Sequence, residues 1–559
     1  MMKYPDLFNP DISRVGTQDS GIYNIIAGKL VSDLIRTSLG PRGMEKIYID
    51  IIGEDTITKH GGAFLRKFDV DHPSAKTVIE AVNTVDTHVG DGTVSAAILI
   101  GSLLKKAHEM VNMKIPIAII TKGYELGLDY SLEHLEKIKT KADINDKKTR
   151  ENLLHTCLEG KLLYEVYDDP KKIIDMMMEA VSSVTDFSTG KINVDDIKIE
   201  EKRGNPEDIE LVKGTVIDKT IDSSSMPKKI ENARLLLLNH PLETMRTKSE
   251  SEIEIASPSQ MSQFLNQENY DLLYYVKKIV DSGANLVISR KGINEFVQDE
   301  LAKKGIISLR RVKYNDLWWL EKATGAKTCE NIENISQNEL GFVTKIYEKK
   351  VGDDRMVFVE VDKDQRSVTL LLRASSKRYL DEFHRNALNA FYVLRNFIES
   401  PYIVCGSGSS ELRMSKKLRE MSTLLESKEQ IVLEKFAEAL EDIPLTLARN
   451  VGMNILDTLP LLRSKNDDKW WGINSKTRKV EDMSSSYVIE TSAVKEQILK
   501  TAVEATNMIL NVDDVFMKDL IDNTHCHIDG TVHAHHDGGK SHNHFEQEGL
   551  EQRQMHQYY

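Results

Sequence analysis

Cysteine is scarce in this sequence and long apolar runs are absent, and each absence excludes a class of protein. The four cysteines among 559 residues are widely spaced, without a Cys-x-x-Cys pair: Cys157, Cys329, Cys405 and Cys526. This usage fits a reducing compartment better than a disulfide framework. No apolar run approaches the roughly 18 residues of a membrane span, and the N-terminus lacks a signal-peptide pattern. We therefore expect a cytoplasmic protein with no membrane partner.

Basic residues are outnumbered by acidic residues, which argues against a general nucleic-acid-binding protein. The sequence has 74 Lys and Arg against 87 Asp and Glu, a formal net charge of -13, whereas such proteins are usually basic. The composition is otherwise that of a soluble globular protein, with 40% hydrophobic and 29% charged residues. The length predicts three or four domains.

Two helical regions flank a middle region of different character. Apolar residues recur at intervals of three and four in residues 22–35, and helical patterns return in 75–110 and in 431–510. The middle region instead has short strand-like runs, such as residues 235–238 and 286–289. This order predicts an α/β domain inserted into a helical one.

The last segment, residues 521–559, contains eight of the sixteen histidines and few apolar residues. We expect this tail to be disordered, because it cannot bury enough apolar surface to fold. Its histidines and Cys526 are ligand types that Zn²⁺, Ni²⁺ or Cu²⁺ prefer. Their spacing matches no structural zinc site, so we favour a solvated tail over a metal site.

Three glycine-containing turns are candidates for phosphate binding. In Gly90-Asp91-Gly92-Thr93, glycine lets backbone N–H groups approach an anion, the next helix offers its N-terminus, and Asp91 suits Mg²⁺. The other two turns are Leu39-Gly40-Pro41 and Gly406-Ser407-Gly408. Taken singly, each also has an ordinary structural interpretation: a polar turn before a helix, a helix stop and a flexible hinge.

The order of these motifs resembles that of one family, the group II chaperonins. SLGPRGM, DTITKHGG, HPSAKTVIEAV, VGDGTVSAAIL and KGYELGL are similar, in this order, to LGPKGM, TITNDGA, HPAAK, VGDGTT and KGY of that family. MPKK, ATGAK, IPLTLA, WGIN and VEDM continue the resemblance. It covers residues 10–516 and is nearer to archaeal thermosomes than to any one subunit of eukaryotic TRiC.

The resemblance implies a multi-domain chaperonin fold. It has a mainly α-helical equatorial domain that binds ATP, an α+β intermediate domain that carries hinges, and an α/β apical domain that binds unfolded protein. The expected segments are 1–143 with 404–520, 144–211 with 364–403, and 212–363. A helical protrusion is expected at about 246–280, where Ser257-Pro258 is a good helix start. Its Met261, Phe264 and Leu265 would suit contacts with non-native chains.

The resemblance also assigns nucleotide-binding roles, motif by motif. The implied cofactors are ATP and Mg²⁺, with Asp91 as the metal ligand and Lys161 as the sensor of the γ-phosphate. The remaining implied contacts are Leu39, Gly40, Pro41, Gly90, Gly92, Thr93, Val94 and Ser95 for phosphate, Gly406 and Gly408 for the nucleotide, and Asn474 and Asp482 for its ribose or base.

Two departures from the family pattern fall at positions that serve ATP hydrolysis. TITNDGA reads here TITKHGG, which puts His60 in place of an aspartate, and DEVERALEDAV reads DEFHRNALNA, which puts Asn389 in place of another. In the family these carboxylates orient and activate the attacking water. An amide is not basic, and neutral histidine lacks the charge to hold a Mg²⁺-linked water. We therefore expect slow hydrolysis, unless the alignment slips by one residue or Asp55 or Asp381 substitutes.

These observations leave more than one function open. The leading hypothesis is an ATP-dependent chaperone subunit of a double ring, which binds ATP and hydrolyses it weakly. The alternative is a non-catalytic structural subunit of a mixed ring, and the two altered positions favour it over full activity. A monomer that never assembles is disfavoured because the equatorial pattern is so complete. The expected partners are non-native proteins and other chaperonin subunits.

Overall fold

The structure is a computed structural model that describes most of the chain. It describes residues 12–15, 17–167, 169–186, 189–244, 258–362, 366–466, 468–512, 515–518, 524–526 and 532–534. The chain divides into two compact units, Asn24–Asn511 and Met1–Tyr23 with Val512–Tyr559. Within the described ranges, no helix combines the length and the apolarity that crossing a membrane requires.

The first flank is mainly helical. Its elements are β1 Ile12–Val15, α1 Thr17–Arg36, β2 Lys46–Ile49, β3 Asp55–Thr58, α2 Gly61–Leu65, α3 Pro73–Val89, α4 Thr93–Asn112, α5 Ile117–Ile138 and β4 Thr140–Lys141. Helix α3 begins where the sequence places a cap before a proline: His72 Nδ1 accepts the N–H of Ser74 at 3.2 Å, and Pro73 occupies the first turn.

A mixed region follows and surrounds an inserted sheet. Before the insert lie α6 Lys147–Leu158, α7 Leu162–Glu165, α8 Lys171–Val184, β5 Thr185–Asp186, β6 Lys191–Ile192, β7 Ile197–Arg203 and β8 Glu210–Val212. The insert contains β9 Gly214–Ile217, β10 Lys229–Leu238, α9 Pro258–Ser282, β11 Leu286–Ser289, α10 Glu295–Lys303, β12 Ile307–Leu309, α11 Tyr314–Thr324, β13 Thr328–Cys329, β14 Gly341–Val351 and β15 Asp354–Glu360. After it come β16 Val368–Ala374 and α12 Lys377–Glu399.

The second flank is again mainly helical. It contains β17 Tyr402–Cys405, α13 Ser409–Ser422, α14 Glu429–Asn450, α15 Ile455–Ser464, β18 Trp471–Asn474, β19 Lys479–Asp482, β20 Ile489–Thr491, α16 Ser492–Leu510, β21 Val515–Lys518, β22 Thr524–Cys526 and β23 Val532–Ala534. Strand β1 pairs antiparallel with β21, so the two ends of the chain meet in one ladder.

The inserted sheet has seven strands in the order β12-β11-β10-β14-β15-β9, with β13 also pairing with β10. Its strands β10, β11 and β12 are parallel, whereas β14 pairs antiparallel with β10. The leucine run at the end of β10 is buried on both faces. Leu235 and Leu237 enter one core while Leu236 and Leu238 enter the other, because alternate side chains of a strand point to opposite faces.

The expected protrusion and tail lie only partly within the described residues. Helix α9 begins at Pro258, as the Ser-Pro pair predicts, but residues 245–257 and the side chains of Met261, Phe264 and Leu265 lie outside the described set. In the tail, β22 and β23 form an antiparallel ladder. The rest of residues 521–559 lies outside the described set, so disorder of the tail stays a prediction.

The two helical flanks share one hydrophobic core. Phe436 of α14 is fully buried, and its ring meets that of Tyr124 on α5 with centroids 5.8 Å apart. A Cβ added at Gly127 of α5 would lie 3.0 Å from the same phenyl ring, so the glycine permits this close approach. Side chains between residues 154 and 209 form a second core with others between 368 and 398.

Phe436→Ala should lower the stability of helices in both flanks together. Removing a fully buried phenylalanine costs about 3–5 kcal/mol, and here the lost ring supports a helix from the other end of the chain. We expect faster hydrogen exchange in α5 as well as in α14, measured by mass spectrometry. Leu424→Ala, at a residue that is 73% exposed, is the control and should change neither. Faster exchange confined to α14 would contradict a shared core.

Candidate nucleotide-binding site

A cavity of about 490 Å³ lies between the two flanks and the α6–α7 turn. This volume is within the range of small-molecule sites. The cavity brings together most of the residues that the sequence predicts for the site: Leu39, Gly40, Pro41, His60, Asp91, Gly92, Thr93, Val94, Ser95, Lys161, Gly408 and Asn474.

Four predicted residues do not line the cavity. Gly90 and Gly406 precede lining residues in their turns, and Asn389 lies behind the cavity wall on α12. Asp482 accepts hydrogen bonds from the backbone N–H of Trp470 at 3.1 Å and the hydroxyl of Ser484 at 2.8 Å. Its carboxylate therefore holds the β18–β19 hairpin in the present arrangement.

Two helix N-termini, one from each flank, border the cavity. Gly92 precedes α4 and Gly408 precedes α13, both with φ near +80° and neither helix with a side-chain cap. In α13 the N–H of Ser409 donates to the carbonyl oxygen of Gly406 at 3.2 Å. The other first-turn N–H groups have no side-chain cap, and the helix dipole favours an anion at both N-termini. Glycine is required at residue 92 because a Cβ would also lie 2.7 Å from Ile498.

The loop after α1 is held in place by groups from distant parts of the chain. Asn450 Nδ2 donates to the carbonyl oxygens of Leu39 at 2.9 Å and Arg36 at 3.2 Å. A Cβ at Gly160 would lie 2.1 Å from the carbonyl oxygen of Pro41, so this glycine lets the α6–α7 turn approach the loop. Lys59 Nζ joins the two, donating to Pro41 O and Gly160 O at 2.8 Å each.

Both nitrogens of His60 face protein groups. Nδ1 accepts the N–H of Ala63 at 3.1 Å and so caps α2, while Nε2 lies 3.2 Å from Asp86 Oδ1. Accepting at Nδ1 places the proton of the neutral ring on Nε2. Burial raises the pKa of Asp86, but His60 and Arg66 outweigh it and hold that pKa below its usual value. His60 therefore acts as a cap paired with a carboxylate.

Asn389 connects α12 to the turn before α4. With its amide oriented to satisfy both ends, Nδ2 donates to Gly90 O at 3.1 Å and Arg385 O at 3.0 Å, and Oδ1 accepts from Lys161 Nζ at 2.9 Å. A carboxylate at this position would face two carbonyl oxygens without a proton to donate. The amide thus fits the observed contact between α12 and the cavity wall.

The substitute carboxylates considered from the sequence are placed elsewhere. Neither Asp55 nor Asp381 lines the cavity. Asp55 pairs with Arg378 of α12 at 2.5 Å, and burial raises the pKa of Asp381 on the same helix. Among the residues that line the cavity, the described carboxylates are Asp91, Glu159 and Glu490.

Lys161 and Cys157 occupy one wall of the cavity, with Nζ and Sγ 3.8 Å apart. Burial disfavours the ammonium of Lys161, but Cys157 and Asp91 raise its pKa above the usual value, so the charge is retained. Burial raises the pKa of Cys157 to about 12. The wall therefore presents one cation and one protonated thiol.

A buried ion triad beside the cavity was missed from the sequence. Lys495 Nζ lies 2.7 Å from both Glu411 Oε1 and Glu490 Oε2, and Lys495 and Glu490 line the cavity. Burial opposes the charge of Lys495, but the two glutamates raise its pKa above the ordinary lysine value. The available signal was helical spacing, since Lys495 stands three, four and seven residues before Ile498, Leu499 and Ala502 and so shares the apolar face of α16. Lys59 lies within the motif TITKHGG, but its hydrogen bonds to the loop at Pro41 and to the turn at Gly160 were not predicted from the sequence.

The site fits a nucleotide with its magnesium ion. Two helix N-termini without side-chain caps and the cation of Lys161 suit phosphates. Among the described residues, no group of three or more His, Cys, Asp or Glu side chains could hold a metal ion by itself. Asp91 alone is compatible with Mg²⁺, which is commonly bound by one or two carboxylates together with substrate phosphates.

Comparisons with known proteins match nearly the whole chain. Residues 31–519 match the model of the TCP-1/cpn60 chaperonin family. A thermosome subunit of Methanopyrus kandleri is 39% identical over 503 residues, which are 89% of this chain and 92% of the relative. Thermosome subunit alpha of Sulfolobus acidocaldarius is 38% identical over 522 residues, with 91% and 94% coverage. A thermosome subunit of Methanocaldococcus jannaschii is 36% identical over 515 residues, with 91% and 94% coverage.

Cys157 and Cys405 should be inert to alkylation in the folded protein. The pKa of each thiol is raised by burial to about 12, which reduces the reactive thiolate at pH 8 more than about a thousandfold relative to a free cysteine. Peptide mass spectrometry after iodoacetamide treatment checks this, with the protein in urea as the control. Labelling of either residue as fast as in urea would contradict the buried site.

Proposed function

The chain belongs to the TCP-1/cpn60 chaperonin family, and on that premise we propose that it is a subunit of a double-ring chaperonin that binds ATP and hydrolyses it slowly. The expected partners are other chaperonin subunits and non-native proteins, and the expected compartment is the cytoplasm. The observation that carries the slow hydrolysis is the pair of contacts made by His60 and Asn389, which leave neither side chain available as a base.

Nucleotide binding is supported by the groups that converge on the cavity. The first turns of α4 and α13 would receive phosphate oxygens, and Lys161 would pair with the terminal phosphate. Asp91 would hold Mg²⁺, which supplies positive charge to the phosphates when bound. Each of these groups remains in this chain although the two hydrolytic positions differ, so the proposal separates binding from turnover.

Slow turnover follows from how the two altered residues are used. In the neutral state the lone pair of His60 Nδ1 is engaged with Ala63 N–H, so proton abstraction by that nitrogen would break the cap of α2. Asn389 has no basic atom. General-base assistance is typically worth about 10²–10⁴ in rate, so its loss leaves an enzyme that holds ATP for long periods.

The contacts of α12 support a link between the nucleotide and the rest of the chain. Arg385 donates to Ile57 O at 3.3 Å and Asn396 donates to Val89 O at 2.8 Å, while Asn389 reaches Gly90. This helix also packs in the second core. We propose that α12 and the α6–α7 turn belong to the intermediate domain, residues 144–211 and 364–403, and transmit the nucleotide state to the apical domain, residues 212–363.

An accessory role is the second candidate function. A subunit that binds ATP without hydrolysing it would contribute to a mixed ring through its position and its apical surface alone. The same two residues favour this candidate, and it differs from the first only in whether any turnover remains. Turnover of the purified chain therefore separates the two.

Restoring both carboxylates should increase ATP turnover. The His60→Asp, Asn389→Asp double variant is expected to hydrolyse saturating ATP, with Mg²⁺ in excess, at least about tenfold faster than the wild type, since it regains general-base assistance. A phosphate-release assay measures the rate. The control is His88→Asp, Asn145→Asp, which makes the same changes at exposed residues outside the cavity. Equal rates in the double variant and the wild type would refute the assignment.

The native mass of the protein tests assembly. A single chain has a mass of 63.4 kDa, whereas a double ring has a mass of the order of a megadalton. We expect the larger species either for the purified chain or after mixing with chaperonin subunits from the same source, measured by light scattering or native mass spectrometry. A mass of one chain under both conditions would contradict the ring.

A further inference from the structure

Lys59 is a half-buried cation in the wall of the candidate site. Its Nζ donates to the carbonyl oxygens of Pro41 and Gly160, and the residue lines the cavity together with Lys161. An ammonium has three N–H donors and the two carbonyls use two of them. The third is available to an acceptor in the cavity, where the first turn of α4 already favours an anion.

The charge of Lys59 is poorly compensated by the protein. Among the described residues no carboxylate pairs with its ammonium, and the three glutamates that raise its pKa, Glu165, Glu45 and Glu382, act on it only from a distance. Burial lowers the pKa of Lys59 below that of an ordinary lysine, and Lys161 acts in the same direction. A desolvated cation of this kind gains most from an anionic ligand, because charge–charge attraction is stronger away from bulk water.

The charge of this part of the site also differs from the family pattern. TITNDGA has Asn and Asp where this chain has Lys59 and His60, and the ring of His60 is used as a neutral cap. The change from Asn to Lys adds one positive charge, and the change from Asp to neutral His removes one negative charge. Their sum is two units, which is the charge of one Mg²⁺ ion.

From these observations we infer that Lys59 is an internal cation of the nucleotide site, which neutralises phosphate charge and makes binding of ATP weakly dependent on Mg²⁺. The inference rests on the proposed function, since it assumes that the cavity takes a nucleoside triphosphate. Asp91 still holds Mg²⁺ when the ion is present, but the ion contributes less to affinity than it would in a pocket with Asn and Asp at these positions.

The test is the dissociation constant for ATP with excess Mg²⁺ and with EDTA, measured by titration calorimetry on the full chain. For the wild type we expect removal of Mg²⁺ to weaken binding less than about fivefold. For Lys59→Asn we expect removal of Mg²⁺ to weaken ATP binding by a factor at least about ten times larger than for the wild type, because the variant lacks a unit charge close to the phosphates. Lys59→Arg keeps the charge and should retain most of the metal tolerance.

Lys137→Gln is the matched control, since it removes one lysine charge at an exposed residue of α5 outside the cavity. It should behave as the wild type does. Thermal melting verifies that each variant is folded, and Lys59→Gln replaces Lys59→Asn if the latter is not.

The outcomes separate the two proposals. Equal metal dependence in the wild type and in the Lys59→Asn or Lys59→Gln variant would overturn the role of Lys59 while leaving nucleotide binding intact. If ATP binding to the wild type depended strongly on Mg²⁺, that result would also overturn the role of Lys59 while leaving nucleotide binding intact. No binding of ATP to the wild type in either condition would instead overturn the proposed function itself.

Discussion

Helix α4 is buried over most of its length, and its packing against helices from the far end of the chain is the constraint on which the site depends. Its side chains from Ala96 to Leu104 lie in the same core as Phe436 and Ile498. This core places the N-terminus of α4 beside that of α13, although the two helices are separated by some three hundred residues in the chain. Two helix N-termini without side-chain caps border one cavity, an arrangement that suits an anion and that neither flank could provide alone.

The altered residues are part of the support of this site rather than idle replacements. His60 caps α2 and contacts Asp86, and Asn389 satisfies the carbonyl of Gly90 while it accepts from Lys161. Each would have been a carboxylate in the family pattern. Because both are buried, a replacement must satisfy the hydrogen bonds of its surroundings, and these two do so in ways that leave no free basic atom. Under the proposed function, ATP binding and ATP turnover are therefore separable properties of one pocket.

Two lysines at the cavity differ in how the protein compensates their charge. Lys495 lies between Glu411 and Glu490, so its charge is fully paired inside the protein. Lys59 has two carbonyl oxygens and no paired carboxylate among the described residues. Removing either partner of a buried pair is destabilising because it leaves an uncompensated charge, whereas a lysine without a paired carboxylate retains its attraction for an anionic ligand. The first lysine suits a structural role and the second a binding role.

The amino-acid sequence was enough to predict the family, the α/β insert between helical flanks, the helix that begins at Pro258 and twelve of the residues that line the cavity. These follow from local patterns: apolar periodicity, Ser-Pro and Gly-Asp-Gly signals, and the order of motifs. Tertiary structure alone decided that Asp482 serves a hairpin, that His60 is a cap, and that Lys59 joins the loops at Pro41 and Gly160. The reason is physical: a hydrogen-bond partner or an ion pair depends on which distant groups the packing brings within about 3 Å, and no local pattern in the chain specifies that.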